Sequence, residues 1–159
     1  MSKSLIVYFS WSGNCQKIAE RIQEATGADM FRLEATNPYP AEYKPTEARV
    51  IDEVTHDAMV EYVGDVDGWD EYDTVFVGYP VWGYTIPQIL KKFLLDHDWS
   101  GKRIAPFNSH LGRGEGGTHA KIAAAAPGAE MLPGIVIGGK MVGMQLGKAE
   151  RWAKGIIGR

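Results

Sequence analysis

The chain has 159 residues, a formal net charge of −3 and an apolar fraction of 45%. This length and composition predict one folded domain over residues 1–159 with a sizeable core, and leave too little chain for a second full domain. No apolar run approaches the roughly 20 residues of a membrane-spanning helix, and no signal-peptide pattern opens the chain, so we expect a cytoplasmic protein without a membrane partner. A single cysteine, Cys15, excludes an internal disulfide and a cysteine-cluster metal site.

Charge is unevenly distributed along the chain. Residues 1–99 contain 17 acids and 8 bases, whereas residues 100–159 contain 3 acids and 9 bases. Nine acids and no Lys or Arg lie between residues 52 and 73, which predicts a solvated acidic face. The C-terminal bases are dispersed and not interleaved with aromatic residues, so nucleic acid is not an expected partner.

Five strands are predicted from short apolar runs. In chain order they are residues 5–9, 29–33, 74–79, 104–107 and 131–137. The first, third and fourth are almost continuously apolar, as is typical of strands buried on both faces of a parallel sheet. The last contains Pro133 and Gly134, which favours a place at an edge of the sheet.

A helix is predicted after each strand, from apolar residues at helical spacing. The positions are Cys15, Ile18, Ala19 and Ile22; Val50, Ile51, Val54 and Ala58; Ile86, Ile89, Leu90, Phe93 and Leu94; Thr118 to Ala126; and Ala149, Trp152, Ala153 and Ile156. The proline-containing segment 35–45 is predicted as a long surface loop. Strands alternating with helices indicate a doubly wound α/β protein with helices on both faces, in which a ligand lies beyond the carboxyl ends of the strands.

The turn after the first predicted strand, Ser10 to Cys15, is rich in hydroxyls and contains a glycine. The free N–H groups and the positive dipole end of the following helix point at this turn, which favours a bound anion. Because the turn contains no Lys or Arg, N–H and O–H donors alone would meet the charge, as suits a phosphate monoester. The alternative is an ordinary helix start capped by Ser12 or Asn14.

Two further strand ends carry candidate ligand-binding residues. The third strand leads into Pro80 to Pro87, where the flat rings of Trp82 and Tyr84 could face a planar ligand or could cap the core under a loop. The fourth leads into a polar, glycine-rich segment, 108–117, able to offer backbone groups to the edge of a heterocycle. In that segment His110 either faces the ligand or faces solvent.

Three segments together resemble the flavodoxin family: residues 5–15 (LIVYFSWSGNC), 73–87 (DTVFVGYPVWGYTIP) and 101–110 (GKRIAPFNSH). They are similar to the three ligand loops of that family, in the same order and at similar intervals. The pattern S-x-S-G-N-T, which opens the family's first helix, is matched except at its last position. The resemblance covers most of the chain and implies a five-stranded parallel sheet of order 2-1-3-4-5 and bound FMN.

The resemblance also implies which residues contact FMN. Those wrapping the phosphate would be Ser10, Trp11, Ser12, Gly13, Asn14 and Cys15. Those along the isoalloxazine would be Pro80, Val81, Trp82, Gly83 and Tyr84, and those at its pyrimidine edge Asn108, Ser109, His110, Leu111 and Gly112. Cys15 stands where the family usually has Thr, so a weak S–H donor replaces an O–H donor. Gly83-Tyr84 stands where related sequences often have Trp-Gly, which leaves open which aromatic residue stacks on which flavin face.

The expected function is electron transfer by an FMN-binding flavodoxin-like protein, with a redox protein or a small-molecule electron acceptor as partner. The alternative is an NAD(P)H-dependent quinone or flavin oxidoreductase of the same fold, and no catalytic residue is assigned for it. A phosphate-binding or signalling module without flavin is disfavoured. A receiver domain, for example, needs acids at the ends of the first and third strands, where this chain has Ser10 to Ser12 and Tyr79 to Val81.

Overall fold

The computed structural model describes residues 3–82, 85–110, 112 and 114–158. The strands are β1 (Lys3–Tyr8), β2 (Asp29–Arg32), β3 (Tyr72–Pro80), β4 (Arg103–His110), β5 (Glu130–Met131) and β6 (Ile135–Gly138). The helices are α1 (Asn14–Thr26), α2 (Tyr43–Thr55), α3 (Gln88–Asp96), α4 (Thr118–Ala125) and α5 (Val142–Ile157), with short 3₁₀ turns at Trp69–Glu71 and Gly139–Met141. Within these residues, none of the helices has the length and apolar character needed to cross a membrane.

The strands form one parallel sheet in the order β2-β1-β3-β4-β5, which confirms the order implied by the sequence. The chain moves from β1 outwards to β2, and then across β1 to β3. The carboxyl ends of β1 and β3 therefore lie side by side at the point where the strand order reverses. This is the place where doubly wound sheets hold their ligands.

The edge strand predicted at 131–137 is divided into two pieces, β5 and β6, and both pair in parallel with β4. The proline at the break, Pro133, has no N–H to give to the ladder. Beside it, a Cβ on Gly134 would meet the carbonyl oxygen of Pro106 at 2.8 Å, so the backbone passes too close to β4 for a side chain. The sheet consequently contains a sixth short strand, β6, which carries the chain to the ligand edge.

The core has two parts, one on each face of the sheet. One face packs against α1 and α5 through residues such as Ile18, Ile22 and Ala153. The other packs against α3 and α4 through residues such as Leu90 and Ile122. Helices on both faces therefore confirm the doubly wound architecture.

Helix α2 differs from its prediction. It begins at Tyr43, so the last three residues of the predicted loop 35–45 are helical, and it ends before Ala58. Its buried residues are Thr46 and Glu53, whereas Ile51 and Val54 of the predicted apolar face are exposed. Polar contacts hold this helix, among them the Arg49 guanidinium donating to the carbonyls of Asn37 and Pro38.

The acidic segment 52–73 is solvated except at one position. Eight of its nine acids are exposed, but Glu53 is buried. Its carboxylate accepts a hydrogen bond from the Tyr39 hydroxyl at 2.6 Å and pairs with Arg49 at 2.9 Å. A neighbouring cation and a hydroxyl donor are what a buried carboxylate requires, so here the expectation of a solvated charge was wrong.

Candidate functional site

Helix α1 begins at the end of β1 with its N-terminus open. The cap residue Gly13 has φ 94°, in the left-handed region that favours glycine, and as a glycine it brings no capping side chain of its own. The nearest backbone hydrogen bond runs from the Lys17 N–H to the Gly13 carbonyl, at 3.1 Å. The Asn14 N–H donates to Ser12 Oγ at 3.5 Å. The N–H groups of Cys15 and Gln16, by contrast, have no acceptor within the described residues, so these two and the helix dipole are available to an anion.

Two serines shape the turn in front of this helix. The Oγ of Ser10 accepts a hydrogen bond from the Gly13 N–H at 3.2 Å, and Ser12 is exposed with its Oγ 3.5 Å from the Asn14 nitrogen. A Cβ added at Gly13 would meet no atom within 4 Å, so the space beside the turn is open. The Asn14 N–H donates to the Ser12 Oγ across that separation of 3.5 Å, so Ser12 caps the helix start only through one long hydrogen bond.

Helix α4 shows the opposite arrangement. It too starts at a left-handed glycine, Gly117, but the carboxylate of Glu115 accepts hydrogen bonds from the His119 N–H at 2.9 Å and the Thr118 hydroxyl at 3.2 Å. The His119 N–H, above all, holds the pKa of Glu115 below its ordinary value. Among the described residues, a carboxylate of the chain closes α4 and none closes α1, so α1 is the candidate place for a ligand anion.

The turn before α1 is tied to three distant parts of the chain. The Trp11 indole donates to the Pro40 carbonyl at 2.8 Å, and the Asn14 side-chain amide donates to the Gly139 carbonyl at 3.3 Å. From β2, the Arg32 guanidinium donates to the Ser10 carbonyl at 3.3 Å. A basic side chain therefore lies beside a turn whose own sequence contains none, while the expectation that N–H and O–H donors alone meet the charge of a bound anion stays a prediction.

An aromatic group lies at the end of β3. The ring of Trp82 contacts Phe9 and Tyr39 edge-on, with centroids 5.4 and 5.7 Å apart, and Phe9 and Tyr39 contact each other at 5.5 Å. Trp82 is only partly buried and exchanges two backbone hydrogen bonds with Thr85, both of 3.1 Å. Tyr39 belongs to the loop before α2, so α2 and its buried Glu53 help to position this group.

Residues predicted to follow β4 belong to the strand itself. Asn108 and Ser109 are buried, and the Asn108 amide donates to the Tyr79 hydroxyl at 3.4 Å while its Oδ1 has no partner within the described residues. His110 is half-buried and its Nδ1 accepts the Gly112 N–H at 2.9 Å. The fourth strand, predicted to end at residue 107, therefore continues to His110, because its first residues after Phe107 pair with β6.

The thiol of Cys15 is directed into the protein. It lies 3.4 Å from the Ser109 hydroxyl, and burial raises its pKa to about 11. Any contact of Cys15 with an anion at this helix start would therefore come from its backbone N–H. Because the Cys15 side chain points away from the turn, having Cys where the family usually has Thr removes no hydrogen-bond donor from the open side of the turn.

Most of the predicted site residues come together at one edge of the sheet. The turn of residues 10–15, the segment 80–82 and the end of β4 meet there because β1, β3 and β4 are adjacent and parallel. Gly83, Tyr84 and Leu111 lie outside the described residues. Sequence reasoning missed Arg32, Tyr39 and Gly139; the pairing of Tyr8 with Arg32 in β1 and β2 could have indicated the first. In the described part of the chain, no three His, Cys, Asp or Glu side chains cluster closely enough to hold a metal.

A doubly wound parallel sheet with an open helix N-terminus and an aromatic group at its ligand edge defines a class of α/β proteins that bind phosphorylated, planar ligands. A family model described as flavodoxin matches residues 3–154. The chain belongs to the flavodoxin family. No curated protein sequence matches it.

Solved structures share the fold at low identity. A Bacteroides eggerthii protein described as a candidate flavoprotein is 24% identical, with 94% of this chain and 98% of that chain covered and a TM-score of 0.78. The Lactobacillus acidophilus flavoprotein in complex with FMN is 20% identical, with coverage of 93% and 98% and a TM-score of 0.74. Oxidised flavodoxin 2 from Bacillus cereus is 21% identical, with coverage of 96% and 95% and a TM-score of 0.60.

Proposed function

We propose that the protein binds one FMN per chain at the carboxyl edge of the sheet and carries electrons in the cytoplasm. The observation that carries this proposal is the N-terminus of α1, which no carboxylate of the described residues closes, in contrast to the N-terminus of α4, which Glu115 closes. FMN ends in a phosphate monoester, which fits a turn of hydroxyls and N–H groups. The similar Lactobacillus acidophilus protein was solved in complex with FMN, which supports the same ligand here.

The residues of the first turn would divide the work of holding the phosphate. Ser12 and the N–H groups at the start of α1 would donate to it, while Ser10 would keep the turn folded through its bond to the Gly13 N–H. Trp11 and Asn14, whose side chains already donate to Pro40 and Gly139, would fix the turn rather than contact the ligand. Arg32 would add positive charge beside the turn.

The aromatic group at the end of β3 would hold the ring system. Trp82 keeps part of its surface exposed, while Phe9 and Tyr39 pack edge-on against it and fix its orientation. The pyrimidine edge was assigned to the segment that begins at Asn108. The buried Asn108 and Ser109 would contact it through their backbone or support it from below, and His110 and Gly112 would contact it at the outer side of the site. When bound, FMN supplies the one- or two-electron redox chemistry.

The identity of the ligand is tested by releasing the cofactor from the purified protein for mass spectrometry and by titrating apoprotein with FMN, FAD and riboflavin. We expect FMN to be released and to bind more tightly than the other two, because FAD lacks a terminal monophosphate and riboflavin lacks any phosphate. A bound FAD, or an apoprotein that FMN does not reconstitute, would contradict the proposal.

The carrier role is tested separately from binding. The FMN-loaded protein is mixed with NADH or NADPH and a quinone, and oxidation of the nicotinamide is followed by absorbance. We expect slow oxidation near the rate given by free FMN at equal concentration. Turnover that greatly exceeds free FMN would assign the protein to the oxidoreductase alternative while leaving FMN binding intact.

A further inference from the structure

The outer face of α5 and the turn before it carry a stripe of exposed methionines and cations. Met141, Met144, Lys148 and Arg151 are all exposed, Met144 to 81% of its surface. Their spacing of three, four and three residues places them along one side of the helix. At 1.5 Å per residue, the stripe extends about 15 Å.

No acidic side chain among the described residues forms an ion pair with a cation of this stripe. The one acid of α5, Glu150, points at α1, where it accepts two hydrogen bonds from the Arg21 guanidinium at 2.9 and 3.1 Å. Its other oxygen lies 3.2 Å from the Lys154 ammonium. Neither Lys148 nor Arg151 forms an ion pair with another described residue, so both cations face solvent and can pair with acidic groups of another molecule.

The stripe begins next to the candidate ligand edge. The 3₁₀ turn that leads into α5 contains Gly139, whose carbonyl accepts the hydrogen bond from Asn14 of the anion-binding turn. Met141 follows two residues later. Two more exposed lysines flank this end, Lys140 in the same turn and Lys17 in the first turn of α1. A molecule docked on the stripe would therefore lie beside the proposed flavin site.

The main acidic segment of the molecule lies away from the α5 stripe. Of the eight exposed acids between residues 52 and 73, seven belong to α2 and to the segment between α2 and β3, which follow the other face of the sheet, and the eighth, Asp73, belongs to β3. A partner with a carboxylate-rich surface would be repelled by that segment and attracted by the stripe. This asymmetry selects an acidic partner for the α5 side and steers its approach.

We propose that this region, the α5 surface (Lys17, Lys140, Met141, Met144, Lys148 and Arg151), docks an acidic redox protein during electron exchange. The methionines supply an adaptable apolar centre and the cations face the partner's carboxylates. The partner then lies against the edge where FMN would bind. This inference rests on the proposed function for its redox meaning, but docking itself requires only the surface.

Docking is tested first as binding, with a cytochrome of the b5 type, whose haem edge is ringed by carboxylates, as the probe. FMN-loaded protein and ferric cytochrome are both fully oxidised and are titrated at low ionic strength, with amide chemical shifts followed by NMR. We expect shifts concentrated in residues 140–152 and at Lys17, lost at high salt. Shifts elsewhere on the protein, or no interaction at low salt, would overturn the proposal.

Electron exchange is tested next by stopped flow, in which the chemically reduced, FMN-loaded protein delivers one electron to each ferric haem. We expect Lys148→Glu to lower the low-salt rate about tenfold, and Met144→Ala to lower it several-fold without loss of stability. The matched control Lys44→Glu reverses an exposed lysine on α2 and should leave the rate unchanged or raise it. An equal fall for Lys148→Glu and Lys44→Glu would contradict a specific surface.

A neutral quinone acceptor separates this proposal from the proposed function. It needs no docking, so the α5 variants should reduce it at the parental rate. A protein that fails to take up FMN fails at the spectrum, before any partner is added. A protein that reduces the quinone normally but shows no salt-dependent transfer to the acidic cytochrome retains the proposed function and loses the α5 surface.

Discussion

Helices α1 and α4 start in the same way but are completed differently. Each begins at a glycine with positive φ, Gly13 at 94° and Gly117 at 79°. Because glycine has no side chain, a capping group must come from another residue. At α4 the Glu115 carboxylate closes the N-terminus, whereas at α1 no carboxylate in the described part of the chain does so. The same backbone motif thus makes a self-sufficient helix start at α4 and the start that we propose as a phosphate site at α1. What distinguishes the two is whether the anion belongs to the chain.

The strongest way to break this difference is to give α1 an anion of its own with Ser12→Asp. The new carboxylate would occupy the helix N-terminus and repel the FMN phosphate, and the serine hydroxyl would be lost. We expect FMN affinity to fall by about 2 to 3 kcal/mol. Titration of apoprotein, followed by quenching of flavin fluorescence, measures this. Riboflavin, which has no phosphate, is the control and should bind as before; an equal loss for both ligands would mean that the phosphate does not lie at α1.

Trp82→Ala tests the part of the proposed site that would hold the flavin ring, as Ser12→Asp tests the part that would hold the phosphate. Removal of the indole takes away a stacking surface worth roughly 1 to 3 kcal/mol, and FMN and riboflavin should lose affinity alike. The two-electron potential should also become less negative, because stacking favours the electron-poor oxidised ring. Tyr84→Ala is the comparison variant, and a larger loss from it would give the stacking role to Tyr84.

A matched pair of glycine variants compares the two helix starts directly. Gly13→Ala and Gly117→Ala each place a side chain at positive φ, where no atom within 4 Å obstructs the new Cβ, so the cost is backbone strain alone. We expect each to lower the free energy of unfolding by about 1 to 2 kcal/mol in urea titrations. FMN affinity should fall for Gly13→Ala only. Loss of FMN affinity in the Gly117→Ala protein would show that the two starts are not independent.

The smallest expected effect comes from opening α4 with Glu115→Gln. The depressed pKa of Glu115 means that its stabilising contribution is present above the ordinary carboxyl pKa of about 4.3 and is lost as pH falls through the lower folded value. At neutral pH the variant should be less stable by about 0.5 to 1 kcal/mol. Urea titrations over a pH series should show the two proteins converging in acid, with FMN affinity unchanged at neutral pH. A difference that persists in acid would contradict the charge argument.

The sheet could be predicted because its strands are buried on both faces. Apolar runs such as 75–77 have no other place in a protein of this size, and parallel pairing follows from the helices between them. The position of α2 could not be predicted, because Ile51 and Val54 have the spacing of a buried face yet are exposed, while Glu53 is buried. Periodicity shows where apolar side chains lie on a helix but not whether another surface covers them.

The site was only partly predictable for a related reason. The turn of residues 10–15 is local, so its hydroxyls and glycine are visible in the sequence. Arg32, Tyr39 and Gly139 reach the site through long-range packing that no short motif encodes. Glu115 could not be distinguished from a ligand-facing residue, because its role as a cap depends on how a turn of glycines folds back.

The hydrogen bond from Asn14 to the Gly139 carbonyl has a consequence for biosynthesis. Its two partners are separated by 125 positions. The turn of residues 10–15 is synthesised early, but the segment that forms this hydrogen bond with it is synthesised near the end of the chain. A nascent chain released before residue 139 would carry the motif without this fastening, and without β6 beside the end of β4. We therefore expect FMN to bind only after the C-terminal quarter has been synthesised. A ribosome-bound fragment that ends before Gly139 should bind FMN with lower affinity than the full chain.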